Sequence, residues 1–182
     1  MKKKIVCLFA GLMIATTMSV FMSGCNSSTS SQTVSTLYIS PDNSYSFTLP
    51  AGFTEKKEAA SQVAEGTTGT AFSNGEGVVL GVVSTKPDPS VKTEDVTLET
   101  VEQQVRATYP EAQIENFRNE KKGNGQILSY TVKVTANNVT SILAEGVYTD
   151  SKQAISFLLT GTDSSKVDPK SLEGIMDSLE IK

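Results

Sequence analysis

The sequence of 182 residues has no histidine and no tryptophan, and it has only two cysteines. Histidine is the usual proton carrier near neutral pH and the commonest neutral metal ligand, so both roles are missing. Catalysis would have to rely on carboxylate, lysine, tyrosine or serine groups without an imidazole partner, which is uncommon. The composition therefore disfavours an enzyme, and we expect no catalytic residue and no cofactor.

The first 24 residues have the layout of a secretory signal peptide. Lysines at positions 2, 3 and 4 precede a mostly apolar run from Ile5 to Met22, and Ser23 and Gly24 then lead to Cys25. Residues 22–25 resemble a bacterial lipobox, in which the cysteine receives a diacylglyceryl group; methionine here replaces the more usual leucine. The alternative is a transmembrane anchor, because the 18-residue run is close to the shortest length that spans a bilayer.

Processing at Cys25 would leave a lipid-anchored protein without a free thiol. Two acyl chains hold a protein at a membrane far more firmly than a single chain does. Cys7 lies in the segment that is removed, so no disulfide is expected. We therefore predict a cell-membrane protein that is lipid-anchored on the extracytoplasmic face.

The charge of the processed chain is strongly acidic. Residues 1–24 hold three lysines and no acid, which leaves 13 basic against 20 acidic residues and a net charge of −7 rather than −4. Such a surface repels phosphate backbones and anionic lipid headgroups. A nucleic-acid partner and a polybasic membrane patch are therefore not expected.

The chain after the signal peptide divides into a tether and one domain. In the predicted tether, residues 25–36, eight of the eleven positions from Asn26 to Thr36 are serine or threonine. That composition cannot bury a core, and eleven residues reach roughly 18 Å. The remaining residues, 37–182, match the commonest size of a single domain.

Alternating apolar residues and turn signals predict a sheet built mostly from hairpins, with short connections at 136–138 and 150–152. Residues 78–83 are apolar on both faces, which is typical of a strand inside a covered sheet. Thr97 and Pro110 bracket a helix over 97–108, and Asp168-Pro169 begins a closing helix. Strands are predicted at 37–39, 44–49, 67–73, 78–83, 112–120, 126–135, 138–149 and 153–160. The fold class is α+β, with an antiparallel sheet of about six to seven strands covered by helices in an α/β/α sandwich.

Two segments resemble the PsbP-like domain family. Residues 38–53, YISPDNSYSFTLPAGF, are similar to the start of these domains, where an aspartate and a short polar step precede Phe-Ser-Phe-x-Leu-Pro-x-Gly and then Phe or Trp. Residues 170–179 are similar to their last helix. The family includes an extrinsic photosystem subunit, a protein that assists a nuclear-import GTPase and a bacterial envelope protein, and none is known as an enzyme. The resemblance implies the fold and a role in docking to another protein.

Four carboxylates form the candidate cation site, namely Asp88, Glu94, Asp95 and Glu99. Oxygen ligands suit Ca²⁺ or Mg²⁺, but the spacing matches no EF-hand loop. A solvated loop in front of a helix explains the same pattern. We therefore assign no metal ligand from the sequence.

Two aromatic residues, Phe53 and Tyr109, stand at element ends beside turn residues and are the candidate docking residues. Core packing is the alternative for both rings. The loops Gly75-Glu76-Gly77 and Gly123-Asn124-Gly125 lack the spacing of phosphate-binding loops and are interpreted as hairpin turns.

The leading functional prediction is a lipid-anchored, extracytoplasmic binding or accessory module that docks to another protein of the cell envelope. The alternative is a carrier that delivers a small ligand or a cation to a membrane transporter. The two-lobed carriers close around a hinge between lobes, and residues 37–182 provide one lobe.

Replacing Cys25 tests the predicted anchor. In Cys25→Ala the acceptor of the lipid is gone, so we expect the protein to leave the membrane fraction or to remain unprocessed. Cell fractionation and intact mass measure both effects. Cys7→Ala is the matched control and should change neither; an unchanged mass and fractionation for Cys25→Ala would contradict the prediction.

Overall fold

The computed structural model describes residues 34–56, 67–136 and 139–182. The predicted signal peptide, Cys25 and most of the predicted tether lie outside these ranges, as does part of the predicted hairpin connection at 136–138. The strands are β1 (Thr36–Ile39), β2 (Tyr45–Leu49), β3 (Thr54–Glu55), β4 (Thr68–Ser73), β5 (Val78–Thr85), β6 (Gln113–Lys122), β7 (Gly125–Ala136), β8 (Val139–Thr149), β9 (Ala154–Gly161) and β10 (Glu180–Ile181), and the helices are α1 (Leu98–Thr108) and α2 (Pro169–Ser178).

Seven strands form one antiparallel sheet in the order β3-β4-β5-β9-β8-β7-β6. This confirms the predicted α+β class and the mostly antiparallel sheet. Strand β5 lies between β4 and β9, as expected for a run that is apolar on both faces. A second sheet, β1-β2-β10, was not expected as a separate unit.

One face of the large sheet, which we call the core face, packs against the small sheet and α2. Phe47 of β2 lies edge-on to two rings of the large sheet, with centroids 6.0 Å from Phe72 and 5.5 Å from Phe157. Helix α2 adds Ile175 and Met176, which are fully buried. These contacts remove a continuous apolar surface from water, which is the main stabilising term for the domain.

The opposite face packs against α1 over β6 and β7. Val101, which is fully buried, belongs to a second cluster with Leu128, Tyr130 and Val132 of the sheet. Helices therefore lie on both sides of the large sheet, as the predicted α/β/α sandwich requires.

Side chains cap the N-terminus of both helices and the C-terminus of α2. The Thr97 hydroxyl accepts a hydrogen bond from the backbone N–H of Thr100, and the Asp168 carboxylate accepts one from Lys170. Both caps were predicted from the sequence. At the other end of α2 the Lys122 ammonium group donates to the carbonyl oxygens of Met176 and Asp177, at 2.7 and 2.5 Å. A cation at this end is favoured by the helix dipole.

Two glycines allow a matched test of the packing. A Cβ added at Gly125 would lie 2.5 Å from the Thr149 carbonyl oxygen and 2.5 Å from the Tyr148 ring, whereas a Cβ at Gly174 would meet no atom within 4 Å. We expect Gly125→Ala to lower the free energy of unfolding by about 1–3 kcal/mol through overpacking. Gly174→Ala should raise it by roughly 0.5–1 kcal/mol, because alanine favours the helix. Urea unfolding measures both changes, and a stable Gly125→Ala variant would contradict the packing described.

Candidate functional site

A cleft of about 870 Å³ opens on the face of the large sheet opposite the core face, which we call the cleft face. Its floor contains one row of cross-strand neighbours that spans five strands: Thr85, Ala154, Thr149, Gln126 and Lys121. These residues share a face because side chains alternate along a strand and register aligns them across it.

The roof of the cleft is the loop that leaves β5 and returns through a short 3-10 turn at Thr93–Asp95. The Asn119 side-chain amide donates to the carbonyl oxygens of Thr93 and Val96, at 2.9 and 2.7 Å. Gln126 in turn donates to the Asn119 amide oxygen at 2.7 Å. Three strand and loop segments are thereby joined by one amide network, which holds the roof above the sheet.

A hydroxyl pair makes a second connection between roof and floor. The Thr93 and Thr149 hydroxyl oxygens lie 2.5 Å apart, and Thr93 is buried. Ser156, also buried, lines the floor, and its hydroxyl forms no hydrogen bond with the described residues. The floor thus presents small side chains and a hydroxyl that a bound molecule can engage.

Charges of both signs surround the cleft. Two carboxylates of the lining form hydrogen bonds within their own turns. Asp88 accepts from the backbone N–H and the hydroxyl of Ser90, and Asp150 accepts from the backbone N–H groups of Lys152 and Gln153. The two hydrogen bonds from Ser90 lower the pKa of Asp88. Three further charged residues of the lining form no salt bridge within the described part of the chain: Lys86, Glu94 and Lys121.

No protein-family model and no curated protein sequence matches the chain. The solution structure of cyanobacterial PsbP (CyanoP) from Synechocystis sp. PCC 6803 superposes with a TM-score of 0.57 at 17% identity, over 88% of this chain and 99% of that one. The domain has the PsbP-like fold.

Two further structures overlap less well with the PsbP-like domain. A crystal structure from Bacteroides thetaiotaomicron VPI-5482 gives a TM-score of 0.49 at 15% identity, over 80% of this chain and 48% of that one. LpqN, described as involved in cell envelope biogenesis of Mycobacterium tuberculosis, gives a TM-score of 0.42 at 10% identity, over 82% of this chain and 91% of that one. A shared fold at this identity does not determine an activity.

The four predicted cation-site carboxylates do not converge in the PsbP-like domain. Asp88 and Glu94 line the cleft, whereas Asp95 and Glu99 are not part of its lining. Among the described residues, no group of three or more histidine, cysteine, aspartate or glutamate side chains lies close enough to hold a metal ion. Oxygen-ligated cations need several converging ligands.

The two candidate docking aromatics have different environments. The prediction for Phe53 is wrong, because its ring is only 5% exposed and packs in the core cluster, following the turn that ends β2. Tyr109 follows α1 and is 47% exposed, so its docking role stays a prediction. Gly75 and Gly123 have positive φ angles of 77° and 59°, in agreement with their interpretation as hairpin turns.

Sequence reasoning missed the amide network. A signal was present, because Asn119 and Gln126 are polar residues in adjacent strands joined by a two-residue turn. The loop partners of Asn119, Thr93 and Val96, lie more than 20 positions earlier in the chain, so their proximity to Asn119 depends on the tertiary fold.

Near the cleft, β8 carries a buried carboxyl group at Glu145, two positions before the cleft-lining Val147. The Tyr130 hydroxyl donates a hydrogen bond to Glu145 Oε2. Burial raises the pKa of Glu145, and the hydrogen bond from Tyr130 opposes this effect only in part. The protonated form is therefore favoured by the folded state more than by the unfolded chain.

Glu145→Gln tests this assignment through the pH dependence of stability. The pKa of Glu145 is higher in the folded state than in the unfolded chain. Its contribution to the free energy of unfolding is therefore fully present below the unfolded-state pKa and is lost as pH rises through the folded-state pKa. An amide keeps an acceptor for Tyr130 and does not ionise. We expect the difference in the free energy of unfolding, variant minus wild type, to increase as pH rises.

Urea unfolding between pH 4 and pH 9 measures this difference. Glu111→Gln, at an exposed position, removes one carboxylate of the same type and is the matched control. A parallel pH profile for wild type and Glu145→Gln would show that the buried carboxyl does not titrate as described.

Proposed function

We propose that this protein is a non-catalytic binding module of the cell envelope, lipid-anchored through Cys25 on the extracytoplasmic face, and that it docks a segment of a partner protein in the cleft. The observation that carries the proposal is the cleft itself, which has a floor of small and hydroxyl-bearing residues beneath a loop held by the Asn119 network. A preformed site of this kind binds without first ordering its own loops.

The charges of the rim support a polypeptide as the occupant. Lys86 and Lys121 have no salt-bridge partner among the described residues, and Glu94 is similarly unpaired. An extended segment that bears a carboxylate and a basic group would satisfy charges of both signs. Pro87 and Pro89 in the same loop offer apolar contact without backbone N–H donors that need a partner.

The absence of histidine in the sequence supports a binding role over a catalytic one. The PsbP-like fold adds support, since none of the family members named above is known as an enzyme and the resemblance implies docking to another protein.

A carrier of small molecules is the second candidate. The cleft volume falls in the range of about 300–1,000 Å³ that is typical of small-molecule sites, and the Ser156 hydroxyl is a donor and acceptor at the floor. A cation is the less suitable cargo, because carboxylates do not converge in the described residues.

Site-directed photo-crosslinking in intact cells tests the proposal. A benzophenone side chain placed at Glu94 or at Ser151, both in the cleft lining, is expected to give an adduct of the same mass. The same group at Lys170, an exposed position on α2, should not give that adduct. Asn119→Ala, which releases the roof, should reduce the yield at both cleft positions.

Other outcomes separate the two candidates. An adduct of equal yield at Lys170 and at the cleft positions would argue against docking in the cleft. If no protein adduct forms and native mass spectrometry of the purified protein finds a bound small molecule, the carrier is favoured instead.

A further inference from the structure

Three exposed aliphatic side chains lie at the start of the described domain: Val34, Leu37 and Ile39, which are 70%, 65% and 48% exposed. We call them the aliphatic strip. They fall within six positions, whereas the other large exposed apolar residues of the described ranges are distributed singly, namely Leu98, Tyr109 and Val139. Single exposed apolar residues are ordinary, whereas several exposed aliphatic residues close together in the chain indicate a contact surface.

The backbone of β1 explains why two of the three side chains point outward; Val34 precedes the strand. Tyr38 faces the interior, with its ring centroid 5.0 Å from those of Phe47 and Phe72. Because side chains alternate along a strand, Leu37 and Ile39 lie on the opposite, outer face. Within the described residues, β1 pairs only with β2 and so forms an edge of the small sheet. Edge strands in solution usually carry charge or proline on such a face.

We infer that the aliphatic strip rests in the headgroup region of the membrane that holds the anchor. The inference rests on the lipidation of Cys25 in the proposed function. Val34 follows Cys25 by nine positions. Nine residues span at most about 32 Å even when fully extended, so the strip cannot move far from the bilayer surface. The anchor supplies most of the membrane affinity, and a few aliphatic groups suffice to orient a domain already held there.

The charge of the surrounding surface fits this contact. The β2 residues opposite Leu37 and Ile39 are uncharged: Thr48 is exposed and Ser46 is buried. The charged residues beside this surface are Glu180, on the far strand β10, and Lys182, whose ammonium group donates to the Asn43 side-chain oxygen. An acidic domain would be repelled by anionic headgroups over most of its surface, whereas the β1–β2 surface approaches them without that cost.

A second copy of the chain is the competing occupant. A stable protein–protein interface uses roughly 20–30 residues on each partner. The strip has three side chains, two of which belong to the four-residue strand β1. The membrane is therefore the better match. Membrane contact on this side also places the cleft, which opens from the opposite face of the large sheet, away from the bilayer.

Fluorescence of the intact lipoprotein in vesicles tests the inference. After processing, the thiol of Cys25 is blocked by the lipid, so Leu37→Cys provides a unique site for an environment-sensitive nitrobenzoxadiazole label. The control is Leu98→Cys, an exposed leucine on α1 that lies on the other side of the large sheet. Vesicles of phosphatidylcholine are prepared with and without a nitroxide-labelled lipid.

We expect blue-shifted emission at position 37, and quenching by the nitroxide lipid several-fold stronger than at position 98. Ile39→Ser and Val34→Ser should each weaken the quenching at position 37 while the protein still floats with the vesicles. Water-like emission at position 37 of floating protein would overturn the inference. A blue shift at position 37 that increases with protein density in the vesicles, without nitroxide quenching, would overturn the inference in favour of contact with a second copy. Protein that does not float would contradict the anchor itself, and with it this orientation.

Discussion

The seven-stranded sheet carries an apolar cluster on each face, and the positions of the other elements follow from the need to cover these clusters. On the core face, Phe47 meets Phe72 and Phe157 edge-on, and α2 extends the cover with Ile175 and Met176. On the cleft face, α1 covers β6 and β7 through Val101. Beyond α1 a polar loop replaces the helix as cover, and the cleft lies beneath this loop. The site is therefore a consequence of incomplete apolar cover on one face.

Local signals in the sequence predicted most of the elements. Thr97 and Asp168 cap helices because a side-chain oxygen at these positions satisfies a backbone N–H of the first turn, an interaction within a few residues. The hairpins β6–β7 and β8–β9 were likewise predicted from short connections. The pairing of β5 with β9 was not predictable in this way, since the two strands are separated by 68 residues that include a helix and three strands.

The candidate site was less predictable than the fold. Carboxylates near the cleft were identified from their sequence proximity, but Asp88 is engaged by Ser90 and Glu99 lies outside the lining. Phe53 was misassigned because a turn residue next to a ring is compatible with exposure and with burial, and only the tertiary fold decides between them. Asn119 and Glu145 act through partners on other segments, so their surroundings are set by strand register rather than by local sequence.

The small sheet also has a consequence for the order of folding. Its central strand, β2, pairs with β1 through a tight turn but with β10 across more than 130 residues, at Ser46 and Glu180. Such distant pairing requires the closure of a very long loop, which is entropically unfavourable until the large sheet has formed. During synthesis the hairpin β1–β2 is complete early, but the second edge of β2 stays unpaired until residues 180–181 have been synthesised. Until they arrive, the edge of β2 is an unpaired strand that other chains can join, which makes the last step of folding the one most exposed to misassembly.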